Sequence, residues 1–334
     1  MTTAALHELL LRLAGNTSDE LTTGAREELA AGRADVAARL IASTAGNGWF
    51  RPTDDDLALL RSADPTVALP PYAPGSGADW EFAPTIPVED APGVVALDLS
   101  GDGPPGDVAD RTAVRSTAGM DGAVALWCAW RAPYELNPDI GRVYLLLTND
   151  APDRLPGVTG ELQAALRTAG IGQPQVEVFR PDTELPWYQR QARGRSALLW
   201  ARTPPTPVTI ARDFDTIDPV LGPGFDPDHD HLEAAEAAQV LGYLDAGEPL
   251  LSTTTREPDV LDTSLGQVVP QSFRTDGTWI WTDTVAYYLR TYGLAPDGEF
   301  LAHIRDRGYQ STSIDDVLRH RALVELFRPV TERA

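Results

Sequence analysis

The densest run of chemically capable side chains is Asp226-Pro-Asp228-His229-Asp230-His231. Alternating carboxylates and imidazoles can bind a divalent cation through oxygen and nitrogen. In an extended loop Asp226, Asp228 and Asp230 fall on one side and the two histidines on the other, so the ligand set is split. The glycine and the terminal glutamate that a helix–loop–helix calcium site needs are both missing. The expected metal ligands are therefore the three aspartates, and the competing reading is a solvated acidic loop leading into a helix capped by Asp230.

A second constellation is cationic. Arg180, Arg190, Arg193, Arg195 and Arg202 crowd a short stretch with Trp187 and Tyr188 among them. Guanidinium forks bind phosphate or carboxylate in pairs of hydrogen bonds and stack on aromatic rings. The cluster is expected either to hold a small anion or to neutralise the protein's own carboxylates. A third constellation runs from Phe273 to Asp283 and contains Arg274, Asp276, Trp279 and Trp281. Asp276-Gly277 is a turn signal between two apolar pieces. The tryptophans, with Tyr287, Tyr288 and Tyr292 beyond them, make an aromatic surface that serves as a core, a ligand wall or a protein-binding patch.

The remaining chemistry is defined by exclusion. All 27 basic side chains among the 334 residues are arginine. Without lysine there is no Schiff base, no phosphate-loop lysine and no lysine general base. The single cysteine, Cys128, excludes an internal disulfide and a thiolate zinc site. It sits in an apolar run between Trp127 and Trp130 and reads as a small buried residue, although Arg131 stands next to it. His7, His303 and His320 fall in helical patterns with no neighbouring Ser or Asp in a recognisable arrangement. No nucleophile elbow, dinucleotide fingerprint or zinc-protease motif is present, and the prolines after Gly101-Asp102-Gly103 spoil a phosphate-binding helix start. No cofactor is expected.

These residues need elements to position them. Residues 1–62 read as a helical domain of four helices, with Leu6, Leu9, Leu10 and Leu13 at helical spacing and Thr53 followed by three aspartates as a capping signal. Residues 63–92 are a proline-rich linker or strap, and Trp80 and Phe82 argue that part of it docks. Residues 93–215 read as an α/β sheet region with strands at Ala123–Trp130, Arg142–Leu147, Val176–Phe179 and Ala197–Trp200 and a helix at Val158–Ala169; the sheet is mixed and covered on one face by helix. Residues 216–334 are an acidic loop and a mostly helical C-terminal region, expected to pack on the sheet region. Helices are predicted at 231–246, 282–292, 297–307 and 313–327, with Gly247, Gly293 and Gly308 at their ends. The fold class is α+β.

The block from Ser272 to Arg290, continuing through Ala302-His-Ile-Arg to Gly308-Tyr309, resembles C-terminal segments of uncharacterised actinobacterial proteins, some of which accompany polymorphic secreted toxins. The resemblance covers about a tenth of the chain and implies a toxin–immunity setting; it carries no assigned catalytic residues.

A formal net charge of −22 argues against nucleic acid and anionic lipid as partners and favours a basic protein. Residues 203–262 hold thirteen acidic side chains against Arg212 and Arg256. The amphipathic N-terminus lacks the pattern of a signal peptide, and no stretch has the length of a membrane span, so the expected location is the cytoplasm. Two functions remain. One is a protein-binding protein, an immunity or adaptor protein neutralising a basic partner. The other is an enzyme that holds a small anionic substrate with the Arg180–Arg202 cluster and uses Asp276 or Asp283 as acid–base group.

Overall fold

The computed structural model describes residues 2–45, 51–70, 79–86, 94–101, 106–133 and 140–328. Pro71, Pro74, Pro87, Pro92 and the Asp102-Gly103 pair lie outside these. The chain divides into two compact units, Met1–Pro205 and Thr206–Ala334. Helices and mixed sheets make it an α+β protein. Among the described residues no helix is long and apolar enough to cross a membrane.

The first unit opens with α1 (Thr2–Leu13), α2 (Asp19–Ala30), α3 (Ala34–Thr44) and α4 (Asp54–Ala63). The leucine stripe of α1 meets Ala25, Leu29, Ile41 and Leu60 in one apolar cluster. At the start of α4 Thr53 and Asp56 form a reciprocal capping box, as the sequence signalled. The strap contributes β1 (Trp80–Ala83), which pairs antiparallel with β3 (Ala123–Pro133). An edge strand next to prolines needs few ladder hydrogen bonds, which is why the segment pairs at all.

The central sheet runs β2 (Leu97–Asp98), β6 (Ala197–Ala201), β3, β4 (Gly141–Thr148), β5 (Gln175–Phe179), with parallel pairs at both ends and antiparallel pairs in the middle. Helices cover both of its faces rather than one. Leu126, Cys128, Tyr144, Leu146, Val176 and Val178 pack with α5 (Val108–Ala118) and α6 (Leu155–Thr168). On the opposite face Glu177 of β5 meets Arg26 of α2 and Gln189 of α7 (Trp187–Gly194). The Arg26–Glu177 contact is 2.6 Å with both side chains buried, and His7 of α1 donates from Nε2 to the Val178 carbonyl at 2.8 Å. Buried polar groups thus tie the N-terminal helices to β5 within the first unit.

The second unit begins at Thr206 instead of residue 216, because β7 (Thr209–Ile210) pairs in parallel with β14 (Trp279–Thr282). Its sheet runs β10 (Glu248–Leu251), β13 (Phe273–Thr275), β14, β7. The region expected to be mostly helical therefore has a sheet at its centre. Trp281 packs with Val240, Tyr243 and Leu244 of α8 (Ala234–Ala246), Val285 of α9 (Asp283–Tyr292) and Phe300 of α10 (Gly298–Asp306). Ile280, its neighbour in β14, packs with Leu250 and with Ala322 of α11 (Asp316–Leu326), as side-chain alternation along a strand requires. Gly247 ends α8 in extended backbone, not the left-handed form; a Cβ there would stand 2.1 Å from the Trp281 ring. A hairpin, β8 (Thr216–Asp218) with β9 (Gly222–Gly224), and the pair β11 (Arg256–Pro258) with β12 (Gln267–Pro270) complete the unit.

Candidate functional site

The turn between β13 and β14 carries Asp276, whose carboxylate is almost wholly buried. Gly277 makes the turn at φ +90°, a conformation that a side chain resists. Oδ1 of Asp276 accepts from the Trp279 amide at 2.7 Å, the Thr278 amide at 2.8 Å and the Thr278 hydroxyl at 2.9 Å. Oδ2 accepts from the Tyr243 hydroxyl of α8 and from His303 Nε2 of α10, the latter at 2.6 Å. Burial pushes this carboxyl up, but the bonds from Tyr243, the two amides and His303 outweigh it and bring the pKa to about 2.

Asp276 is thus a hydrogen-bonded anion that orients its neighbours, its carboxyl held well below the usual carboxylate range. It fixes the proton of His303 on Nε2 and turns Nδ1 outward. His303 is partly exposed and lies beside the Trp279 ring, with centroids 6.0 Å apart. The arrangement is a carboxylate-backed imidazole, the geometry of a general base. Sequence reasoning missed both His303 and Tyr243, which lie 27 and 33 residues from Asp276. No local spacing signals such a tertiary meeting.

The other residues singled out between Arg274 and Asp283 are packed or paired within the second unit. Trp281 is fully buried. Trp279 stacks on Phe300 at 5.1 Å. Arg274 donates to Asp283 at 2.8 Å and to the carbonyls of Asp245 and Gly247, satisfying the C-terminal end of α8. Asp283 is thus paired and is not a free acid–base group.

The arginine cluster does not form one cradle. Arg202 donates to the carbonyls of Met120, Asp121 and Ala123. Arg180 donates to the Asp150 carbonyl and to Asp182. Arg190 and Trp187 are exposed on one face of α7, Arg193 is half-buried, and exposed Arg195 follows the helix. All belong to the first unit, whereas Arg274, Asp276 and the tryptophans belong to the second. Arg131, three residues along β3 from Cys128, is buried and donates to Asp19 and the Tyr188 hydroxyl, with the Trp80 ring 4.3 Å away. Burial pushes the Cys128 thiol well up, so it is not a reactive thiolate.

The aspartate run also departs from expectation. Among the described residues no three His, Cys, Asp or Glu side chains are grouped to hold a metal ion. His229 reaches away from Asp226, Asp228 and Asp230: its Nδ1 bonds Asp215 at 2.8 Å and its Nε2 meets the Ala295 carbonyl at 3.0 Å. The following helix starts later than expected, with Glu233 at its cap.

What this run borders is a cavity of about 270 Å³ within the second unit. Asp213 to Asp215 line it on the way into the β8–β9 hairpin, and Phe225, Asp226, Asp228, His229 and Asp230 line it on the way out. The hairpin tip holds three strongly exposed apolar side chains: Ile217 at 80%, Val220 at 90% and Leu221 at 87%. Asp218 Oδ1 accepts from the amides of Val220 and Leu221 and fixes the turn. At the foot, Asp215 accepts from the Asp226 amide at 2.7 Å and joins the two legs. Neither the family models nor the curated proteins nor the solved structures compared with this chain give a match.

Proposed function

We propose that this is a protein-binding protein, an immunity or adaptor protein acting in the cytoplasm, whose second unit docks a basic protein partner through the β8–β9 hairpin. The observation that carries this is the hairpin tip, where Ile217, Val220 and Leu221 face solvent on a turn already held by Asp218. Large apolar side chains grouped on a preformed turn gain about 1.5–3 kcal/mol each when a partner covers them. Asp213, Asp215, Asp226, Asp228 and Asp230 flank the hairpin, which supplies attraction and orientation for a basic surface.

The second reading, an enzyme acting on a small anion, draws support from the Asp276–His303 pair. It is weakened at the anion, because Arg180 and Arg202 are engaged within the protein.

The test is a titration of the purified chain against the basic proteins encoded beside its gene, at low and high salt. Binding that weakens with salt and falls at least 100-fold in the Ile217→Ser/Val220→Ser/Leu221→Ser variant is expected. Equal binding by that variant, or no binding by any of these proteins at low salt, overturns the reading.

A further inference from the structure

We infer that the cavity at the foot of the hairpin receives one arginine side chain of the partner. This rests on the protein-binding reading and specifies the chemistry the partner must present next to the apolar residues that meet the hairpin tip.

The walls are of two kinds. Phe214, Phe225 and Tyr288 form an aromatic trio, with ring centroids 4.9 to 5.7 Å apart. Asp213 lines the same cavity and has a single hydrogen bond among the described residues, from the Thr282 hydroxyl to Oδ1 at 2.6 Å. Burial pushes this carboxyl up to about 6 against that one bond. A carboxyl in such a place is costly to ionise until a cation arrives, and an incoming cation restores what burial removed.

The other charged groups on the cavity divide into matched and unmatched. Asp215 has His229, and Asp297 has Arg212 at 2.5 Å. Asp213, Asp226, Asp228 and Asp230 have no basic partner among the described residues. The cavity is thus short of positive charge by its own composition.

Size and shape choose the cation. About 270 Å³ lies below the roughly 300–1,000 Å³ of drug-sized ligand pockets and suits one long side chain. A guanidinium is planar, less strongly hydrated than an ammonium, stacks on aromatic faces and bonds a carboxylate with two parallel donors. An ammonium offers a point charge and gains less from three aromatic rings. A neutral side chain would leave Asp213 with the Thr282 hydroxyl and no cation.

The probes are Nα-acetyl-arginine methylamide, the lysine analogue, and the citrulline analogue, which keeps the shape of arginine without its charge. Each is titrated into the full chain while the methyl resonances of Val285, Leu294 and Leu301, which line the cavity, are followed. The arginine probe is expected to shift them with a dissociation constant on the order of 1 mM, the lysine probe more weakly and the citrulline probe hardly at all. Asp213→Asn, which keeps the shape and the Thr282 bond, is expected to weaken the arginine probe at least tenfold with methyls elsewhere unmoved. Asp226→Asn/Asp228→Asn provides a second measure at exposed positions and is expected to weaken it less. Citrulline shifting the methyls as strongly as arginine, or Asp213→Asn leaving the arginine affinity unchanged, overturns the inference. The hairpin-tip triple serine variant separates the two ideas: it should keep the arginine probe while losing the partner. If the probe binds and no basic neighbour does, the partner reading fails alone.

Discussion

Replacing Asp276 by Asn should loosen the second unit by an amount that follows from its hydrogen bonds. The carboxylate sits at a pKa of about 2, against 3.8 for an unperturbed aspartate. A difference of about 1.8 units at about 1.4 kcal/mol each gives roughly 2–3 kcal/mol, on the order of a 60-fold change in an equilibrium constant. The sign is set by the direction of the shift. A depressed carboxyl stabilises the fold fully above its unfolded pKa, and that contribution drains away as pH falls from about 4 through about 2. Asn keeps one acceptor for the turn amides but presents an amide group to the Tyr243 hydroxyl and His303 Nε2, both of which need an acceptor. The assay is amide hydrogen exchange of peptides spanning 276–304 in the intact protein. At neutral pH the slowest amides of α9 and α10 should exchange about 60-fold faster in Asp276→Asn, and the gap between the two proteins should narrow between pH 4 and pH 2. A gap under about threefold at neutral pH, or one of constant size down to pH 2, refutes the argument that these bonds hold the turn.

Two further predictions concern the first unit. His7 is buried, and burial lowers its pKa from 6.5 to about 4 despite its bond to the Val178 carbonyl. The unfolded chain takes up the proton first, so stability should fall by about 3 kcal/mol as pH drops from 6.5 to 4; urea midpoints at pH 7 and pH 4.5 should show a steeper loss in the native protein than in His7→Gln, and parallel losses would count against the assignment. For the buried ion pair, Arg26→Met should cost about 3–5 kcal/mol by stranding Glu177, while Arg26→Met/Glu177→Leu should recover most of it; denaturant melts in which the double variant is no more stable than the single one would show that the pair is not the origin of the loss.

What the sequence disclosed follows from the range of the signals involved. The α1 leucine stripe and the Thr53–Asp56 box act within one or two turns of helix, and both appear where the spacing predicts. Strands β3 and β4, at 11 and 8 residues, are long enough to read as apolar runs. The second-unit strands span 2 to 4 residues, too few for alternation to register, and the four that share its sheet are drawn from positions between 209 and 282. α7 was hidden by its arginines, because only Tyr188, Gln189 and Ala192 turn inward. The Asp276-Gly277 turn was legible, as was the chemical interest of Asp276. Its role was not, because that is decided by Tyr243 and His303 arriving from two other helices. The metal reading failed at a related point: His229 is drawn to Asp215 and to a distant carbonyl, and the aspartates keep no imidazole.

The one sulfur of the chain's single cysteine has a consequence of its own. Cys128 lies mid-strand between β6 and β4, shielded from solvent and with a thiol that resists ionisation. An alkylating reagent can meet it only when those strands part. No other thiol and no lysine amine in the chain competes for the reagent. The rate at which the native protein loses its free thiol is therefore a clock for the breathing of the central sheet, ticking once for each opening that lasts long enough to be caught.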